Sequence, residues 1–577
     1  MRTRLLLYIA SAFLLSACDV SIDNETDTSA VTAEKIGTSP YTNCSFDAAA
    51  DNEMFDTVIL NGRVMDPECN FDGLRNVGIK DGRIALITEG DISGGEIIDA
   101  SGHVVAPGFI NTHSHSFAPF EQAMMARDGT TTMLDIELGV SSVPTFYDRY
   151  ESDSLLNYGV GISHEEVRRV VLDGMTTEET SDPTYILNSR SRAEEVAQEK
   201  GVASAWAVQI PTNEQHEQIL RLYEQGMRDG AISVNTTVGY MGYGTPTYEI
   251  FDLQKLAKKY DRIFGAHTSF GPTESLPTDY SIGVREVIAN MVVLDGAAVM
   301  SHMQNSGWEE TYEICRRLQQ KGMVIFCEYY PSIFGNPNIA TPQLMSAELR
   351  AANNMDPTST IFNPLTGEPF ESEEQFLDMQ RTDPGMAIFV LVRDEEWINQ
   401  WPHMKDTAIA NDVVTYVDEG GEILAEDAET ADYGGHPRNA RSYSYVFRLA
   451  REQGVPLMDI VHNAGYTPAK YLSRLGLKSM QERGRIQPGM IADITIFNPE
   501  TIHDGSDMKV GNRATPPVGI PHVLVSGQFV VRDGESKVGA RPGQPIRYEP
   551  ITEGEIDMDL NDKAYQWHAD LPDGELD

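Results

Sequence analysis

The chain has 577 residues, of which 41% are hydrophobic and 23% charged, and its formal net charge at pH 7 is −43. This composition is typical of a globular protein and argues against a largely disordered chain or one with several membrane spans. A surface this acidic repels phosphate backbones, which argues against nucleic-acid binding. The length indicates several domains, or one large barrel with additions.

The N-terminal residues have the pattern of an export signal. Arg2 and Arg4 precede an apolar run over residues 5–15, and small residues then lead to Cys18. Such a pattern is typical of a secretory signal, and the residues around Cys18 resemble a bacterial lipobox. We therefore expect a signal peptide over residues 1–17, lipidation at Cys18, and a periplasmic or cell-envelope location in a bacterium, with membrane contact only through that anchor. The alternative is a plain signal peptide or a buried helix.

The cysteines follow from the expected export. Residues 18–53 are rich in Ser, Thr, Asp and Asn and are predicted to be a tether. An oxidising compartment would permit a disulfide between Cys44 and Cys69 near the start of the fold. Cys315 and Cys327 lie in apolar segments, which favours buried free thiols there.

Two β-rich segments, 54–105 and 486–548, flank the centre of the chain. Turn-forming pairs between β-rich runs predict hairpins at Asn61-Gly62, Asp81-Gly82 and Ser526-Gly527. Although far apart in sequence, the two segments could close into one small sheet domain around the intervening chain.

The centre of the chain, residues 106–485, alternates short apolar strands with helical stretches. This alternation predicts an α/β fold with a parallel sheet, and its length favours a (β/α)8 barrel. Residues 337–420 are rich in Asn, Pro, Asp and Glu and are predicted to be an insertion, either a lid or a loosely ordered excursion. Residues 549–577 form an acidic tail.

The most informative local feature is a His-x-His pair, His113 and His115, that ends an apolar strand. Strand residues two apart point to the same side, so both imidazoles can bind one cation. His267 and His302 end two further apolar runs, and barrel active sites lie at the carboxyl ends of the strands. A lone histidine at such a position is often structural, but four on three strand ends indicate a metal site.

These features resemble the amidohydrolase superfamily, and within it the D-aminoacylase (N-acyl-D-amino-acid deacylase) branch. The resemblance covers most of residues 56–545. It rests on short segments that begin at Asp56, Ala106, Gly230, Gly265, Val299, Tyr330 and Gly484. It implies a metal-dependent hydrolase barrel, a small β-sandwich built from both chain ends, and an insertion near the active site.

The resemblance also implies roles for individual residues. It places His113 and His115 on one metal ion, and His267 and His302 on a second. The catalytic aspartate of the family lies nine residues before a His-Pro-Arg segment, which here gives Asp427 as proton carrier and metal ligand. Asp427 lies in an acidic run, and its alternative is a solvated loop residue.

The chain departs from the family pattern at two positions. Leu138 stands where the family has a cysteine ligand; a leucine cannot bind a metal, and the adjacent Glu137 could bridge two ions instead. Gln304 stands where the family usually has a lysine that pairs with the substrate carboxylate. Arg438 is retained for that carboxylate, and Tyr330 matches a tyrosine that would steady the carbonyl oxygen.

Together these residues predict a metal-dependent amide hydrolase that deacylates N-acyl (D-)amino acids or small peptide-like amides. Zinc, as one or two ions, is the expected cofactor, and manganese is an alternative. Two rival functions remain: a dipeptidase or cyclic-amide hydrolase on the same scaffold, and a non-catalytic lipoprotein that binds a solute or a metal.

Overall fold

The computed structural model describes residues 44, 46, 54–181, 204–268, 281–305, 307–337, 339, 344–352, 354–383, 386–418 and 421–552. The signal peptide, Cys18, most of the tether and nearly all of the acidic tail lie outside the described residues. Within the described part of the chain, no helix combines the length and the apolar character needed to cross a membrane.

The strands are numbered in chain order. They are β1 (Met54–Asp66), β2 (Phe71–Lys80), β3 (Arg83–Thr88), β4 (Ser93–Asp99), β5 (Val104–Pro107), β6 (Phe109–Asn111), β7 (Ser114–His115), β8 (Thr130–Val140), β9 (Asn157–Ser163), β10 (Ser233–Thr236), β11 (Ile263–Ala266), β12 (Ala297–Met300), β13 (Val324–Tyr329), β14 (Phe334–Gly335), β15 (Ile361–Phe362), β16 (Phe389–Leu391), β17 (Thr407–Ile409), β18 (Val413–Val414), β19 (Ile494–Phe497), β20 (His522–Val525), β21 (Gln528–Arg532) and β22 (Glu535–Ser536).

The α-helices lie mostly between the strands of the centre and after the last of them. They span Pro119–Arg127, Val143–Tyr150, His164–Arg168, Asn213–Arg228, Thr247–Lys259, Ile282–Leu294, Trp308–Gln320, Ala347–Ala352, Glu373–Thr382, Glu395–Ile398, Ser442–Gln453, Leu457–Val461, Thr467–Arg474 and Lys478–Gln481.

Eight parallel strands form the barrel, in the order β17-β13-β12-β11-β10-β9-β8-β6. Every residue of β8 and β9 is buried, as expected for parallel strands covered on both faces. The two edges meet beyond β6 and β17, where β7 pairs with β18 and the Asn111 Nδ2 donates to the Asn411 Oδ1 at 2.6 Å. The predicted (β/α)8 fold is confirmed.

The two β-rich ends form one nine-stranded sheet. Its order is β22-β21-β20-β19-β5-β1-β2-β3, with β4 paired to β1. The ends join where β5 pairs with β19 in antiparallel register, Val105 opposite Ile496. Buried aliphatic side chains from both ends, among them Ile59 and Leu524, share one hydrophobic cluster. The predicted joining of the two ends is confirmed.

One of the three predicted hairpins is wrong. The hairpins at Asp81-Gly82 and Ser526-Gly527 connect β2 to β3 and β20 to β21. At Asn61-Gly62, however, β1 continues without reversing, and the residues on both sides of this pair bond to β2. Asn61 has a φ of 61° and accompanies a register shift, so this turn-like pair forms a bulge within one strand.

The insertion has a hydrophobic core of its own. It contains the antiparallel sheet β14-β16-β15 and the helices Ala347–Ala352 and Glu373–Thr382. Phe370 and Phe376 pack in its core with a ring-centroid distance of 5.4 Å. The predicted range 337–420 extends too far, because β17 within it is a barrel strand and β18 pairs with β7 beside the barrel. Strands of three and two residues carry too little pattern to be recognised.

Both cysteine pairs are bonded. The disulfide between Cys44 and Cys69 forms as the sequence permits. The prediction of free thiols at Cys315 and Cys327 is wrong, since these residues form a second disulfide. The helix Trp308–Gln320 packs on β13. The Cα atoms of Cys315 and Cys327 lie 6.7 Å apart, within the range that a disulfide spans.

Candidate metal centre

His113 and His115 leave β6 and β7 at the carboxyl end of the barrel, with their Nε2 atoms 2.9 Å apart. The Nδ1 of His113 contacts the Glu328 carboxylate, and the Nδ1 of His115 lies 3.2 Å from the Asp135 Oδ2. A carboxylate only accepts hydrogen bonds, so each Nδ1 carries a hydrogen, and each Nε2 is the ring nitrogen left to bind a cation once it holds no proton. Glu328 and Asp135 thus fix both rings in the form that binds a metal.

Glu137, on β8, lies between two pairs of histidines. Its Oε2 is 3.1 Å from the Nε2 atoms of both His113 and His115. Its Oε1 is 2.9 Å from the His267 Nδ1 and 2.9 Å from the His302 Nε2. One carboxylate oxygen therefore faces each histidine pair, which is the arrangement that a bridge between two cations requires.

Leu138, the neighbour at the position of the family cysteine, is 2% exposed and belongs to the hydrophobic interior. Its backbone N–H donates to the Asp135 Oδ1 at 2.8 Å. Of the two adjacent candidates, Glu137 is therefore the one whose side chain reaches the histidines.

The aspartate that lies next to the four histidines is Asp412, not Asp427. The Asp412 Oδ1 lies 3.5 Å from the Nε2 atoms of His113 and His115, and its Oδ2 lies 3.8 Å from the His302 Nδ1. Asp427 is exposed in a turn and is not among the described residues that could share a metal.

The prediction of Asp427 is thus corrected to Asp412. Counting back from His-Pro-Arg fails because this chain places 23 residues, 413–435, between Asp412 and His436. The sequence did contain a signal for Asp412. Residues 408–411 form a short run from β17 to Asp412, in the same way as apolar strands precede His267 and His302.

The donor set fits a divalent metal. Three overlapping groups have ligand atoms within 4.8 Å of one another: His113 with His115 and Glu137, His113 with His302 and Asp412, and Glu137 with His267 and His302. Imidazoles and carboxylates are zinc ligands, and a carboxylate-rich site also accepts manganese. The sharing of Glu137 between groups leaves room for one ion or two.

Charge is balanced closely within the buried cluster. Burial raises the pKa of the Glu137 carboxyl, but the imidazoles of His113 and His302 bring it well below its ordinary value. Burial also raises the pKa of Asp412, but Arg438 and His113 lower it below the ordinary value. Both carboxyl groups are therefore ionised at neutral pH and available as ligands.

Burial and neighbouring charges shift the pKa values of His302 and His115 in opposite directions. Burial lowers the pKa of the His302 imidazole to about 4, so this ring is neutral. Burial also opposes the charged form of His115, but Asp135 and Glu137 raise its pKa to about 9. His115 thus holds a proton that a divalent cation would displace on binding.

Tyr330 and Arg438 lie beside the metal centre, and Gln304 is buried two residues after His302. The Arg438 guanidinium stacks on the Tyr330 ring, with the Cζ 4.4 Å from the ring centroid, and its Nη2 lies 3.0 Å from the Asp412 Oδ2. The Arg438 Nε and Nη1 and both amide atoms of Gln304 are buried without a hydrogen-bond partner. Unpaired buried donors are costly, so these atoms are the expected contacts of a bound polar ligand.

Other residues of the site carried weaker signals in the sequence. Glu328 lies within the apolar strand β13, and a carboxylate there has no exposed face, which could have marked it as functional. Arg393, which donates to the Tyr330 hydroxyl at 2.7 Å, follows β16 in the insertion. No local pattern distinguishes Arg393 from the other arginines of the chain.

A parallel barrel with histidines and carboxylates at the carboxyl ends of its strands has the architecture of metal-dependent hydrolases of the amidohydrolase type. No protein-family model matches the chain. The D-aminoacylase of Alcaligenes xylosoxydans xylosoxydans is 23% identical over 500 residues, which cover 83% of this chain and 95% of that protein. The N-acyl-D-glutamate deacylase of the same organism is 23% identical over 527 residues, covering 87% and 98%.

Solved structures agree with this relationship. The N-acyl-D-glutamate deacylase of Bordetella bronchiseptica, solved with zinc and a phosphonate inhibitor that mimics the tetrahedral intermediate, has a TM-score of 0.63. It is 21% identical, and the match covers 86% of this chain and all of the other. The fold is thus shared, and the resemblance to the D-aminoacylase branch of the amidohydrolases is confirmed.

Proposed function

We propose that this protein is a metal-dependent amide hydrolase that removes the acyl group from N-acyl amino acids or small peptide-like amides. One observation carries the proposal: the Glu137 carboxylate lies between two histidine pairs, with the Asp412 carboxylate facing three of the four histidines. The relatives named for N-acyl-D-amino-acid deacylation support the choice of substrate.

His113, His115, Glu137, His267, His302 and Asp412 would hold the metal, for which we propose zinc. A bound divalent ion lowers the pKa of water and polarises a carbonyl oxygen. Asp412 would accept a proton at its Oδ1 and deliver it to the departing nitrogen. Asp135 and Glu328 keep the imidazoles in their metal-binding form throughout.

The substrate carboxylate would bind to Arg438, whose free N–H groups are buried beside the metal centre. Gln304 could add a neutral hydrogen bond to the same carboxylate. The Tyr330 hydroxyl would donate to the carbonyl oxygen as it gains charge. Since Arg438 and Gln304 offer donors and no acidic group, an N-acyl amino acid with a free carboxylate fits better than its amide.

The proposal is tested with the purified, zinc-loaded protein and pairs of N-acetyl-D- and N-acetyl-L-amino acids, with release of free amine as the measurement. We expect release from the D series that stops on chelation and returns with zinc. The matching N-acetyl amino acid amides serve as controls and should react poorly. No release from either series would contradict the proposed activity.

We further propose export and anchoring through a lipid on Cys18. The disulfides Cys44–Cys69 and Cys315–Cys327 support an oxidising compartment. Expressed in a bacterium, the protein should fractionate with the envelope and incorporate labelled palmitate, and Cys18→Ala should do neither. Equal labelling of the variant would contradict the anchor.

A further inference from the structure

Arg393 reaches the active site from the insertion and uses all of its N–H groups within the protein. Its Nε and Nη2 donate to the Asn305 Oδ1 at 3.2 and 2.8 Å. Its Nη1 donates to the carbonyl oxygens of Ser332 and Phe334 at 3.2 and 3.3 Å. The remaining Nη2 hydrogen goes to the Tyr330 hydroxyl oxygen at 2.7 Å, so all five guanidinium hydrogens have an acceptor.

The bond from Arg393 decides how the Tyr330 hydroxyl can act. Because the hydroxyl oxygen accepts from Arg393, its own hydrogen must point to another acceptor. Among the described residues, no acceptor for this hydrogen is found. The hydroxyl is buried and lies on a ring 5.7 Å from that of His302. The hydroxyl hydrogen is thus available to donate a hydrogen bond to a ligand beside the metal centre.

Arg438 plays a different part, although it stacks on the same ring. The Cζ atoms of Arg393 and Arg438 lie 4.7 and 4.4 Å from the centroid of the Tyr330 ring. Arg438 keeps its Nε and Nη1 unpaired, so it can bind an anion directly. Arg393 has no free N–H and cannot, so its influence on a substrate must pass through Tyr330.

Arg393 is also a buried cation. It is held by two hydrogen bonds to Asn305, three residues after His302. The Arg393 side chain is 8% exposed, so its charge acts in a poorly solvated region. The guanidinium thus holds a positive charge directly beside the Tyr330 hydroxyl.

We propose that Arg393 is a positioning residue: it holds the Tyr330 hydroxyl as a donor toward the substrate carbonyl. This inference rests on the proposed amide hydrolysis. A residue that acts through the Tyr330 hydroxyl should change kcat, whereas loss of carboxylate binding would mainly raise KM.

The test is a double-mutant cycle of Arg393→Met and Tyr330→Phe, with kcat and KM measured for the best N-acyl amino acid. Loss of one donor to a developing oxyanion lowers kcat by about 100-fold. We expect Arg393→Met to lower kcat by a large part of this factor in the wild-type background, and by less than about threefold when Tyr330 is already Phe. Arg393→Lys, which keeps a cation and a donor, should recover part of kcat.

Arg381→Met is the matched control, since Arg381 lies in the same insertion but forms an exposed ion pair with Asp378. It should leave kcat unchanged. Thermal unfolding of each variant would detect a collapsed insertion. Equal effects of Arg393→Met in both backgrounds would overturn the inference, as would a change confined to KM.

The two proposals can fail separately. If the wild-type protein releases no amine from any N-acyl amino acid, the proposed function fails and Arg393 loses the role assigned to it. If the wild type is active and the cycle is additive, only the role of Arg393 is overturned.

Discussion

Asp412 and Asp427 provide a direct comparison between a buried carboxylate and an exposed one. Asp412 lies 3.5 Å from two histidine Nε2 atoms, whereas Asp427 lies in an exposed turn. We expect Asp412→Asn to lower kcat by about 100- to 10,000-fold, because the amide cannot carry the proton. Asp427→Asn should leave kcat unchanged.

The measurement is steady-state turnover together with the metal content of each variant. Full activity in Asp412→Asn would remove this residue from the mechanism. A protein that only binds a solute would keep its affinity in this variant, so binding of the N-acyl amino acid should be measured in parallel.

Substitutions of the neighbouring residues Glu137 and Leu138 are expected to change different properties, metal affinity for Glu137 and stability for Leu138. Glu137→Gln removes the negative charge between both histidine pairs, which we propose as a shared metal ligand. Loss of a residue that only supports a ligand lowers metal affinity by about 10- to 100-fold, so we expect this variant to lose about 100-fold or more. Leu138→Ala empties part of the interior and should cost about 2–5 kcal/mol of unfolding free energy with metal affinity retained.

Competition with a chromogenic chelator measures the affinity, and denaturant unfolding measures the stability. The assignment of the bridge to Glu137 would be wrong if Glu137→Gln bound metal as tightly as the wild type.

Among the secondary-structure elements, the helix Trp308–Gln320 and strand β13 are joined by the Cys315–Cys327 disulfide. β13 continues from Cys327 into Glu328 and ends at Tyr329, directly before Tyr330, so the bridge anchors the strand that carries or precedes two residues of the site. The loop between the cysteines is short, with a sequence separation of 12. The double variant Cys315→Ala, Cys327→Ala should lose about 3 kcal/mol of unfolding free energy under oxidising conditions.

Denaturant unfolding with and without a reducing agent checks this expectation. The wild type should lose a similar amount when reduced, while the double variant should be insensitive at this site. Cys44 and Cys69 also react to the reductant, so a Cys44→Ala, Cys69→Ala variant is needed to separate the two bridges.

The elements also show where sequence patterns were sufficient. β11 and β12 were recognisable because each is an apolar run that ends in a histidine. β17 was not predicted because it has three residues and lies after a polar insertion. Asp412, which follows this strand, was therefore not predicted either. Asn61-Gly62 was misread because a positive φ at Asn61 serves a bulge as well as a turn.

The charge of the whole molecule predicts how its stability depends on salt. A net charge of −43 destabilises the compact state through self-repulsion. The screening length falls from about 30 Å at 0.01 M to about 3 Å at 1 M ionic strength. We therefore expect the unfolding midpoint to rise steadily with sodium chloride over this range.

A neutral osmolyte at matched osmolality is the control, since it acts by exclusion from the surface and leaves charge repulsion in place. A midpoint that responds equally to both solutes, or falls with salt, would contradict the role of self-repulsion.

The sequence by itself determined the barrel, the joining of both chain ends and the four histidines, because each depends on a local pattern: alternating strands and helices, paired β-rich ends, and histidines at strand ends. It also indicated Glu137, Tyr330, Arg438 and Gln304 through the resemblance. The tertiary structure alone decided on Asp412, Glu328 and Arg393, since these side chains reach the site from segments distant in sequence, and no spacing along the chain encodes a distance between atoms across the barrel.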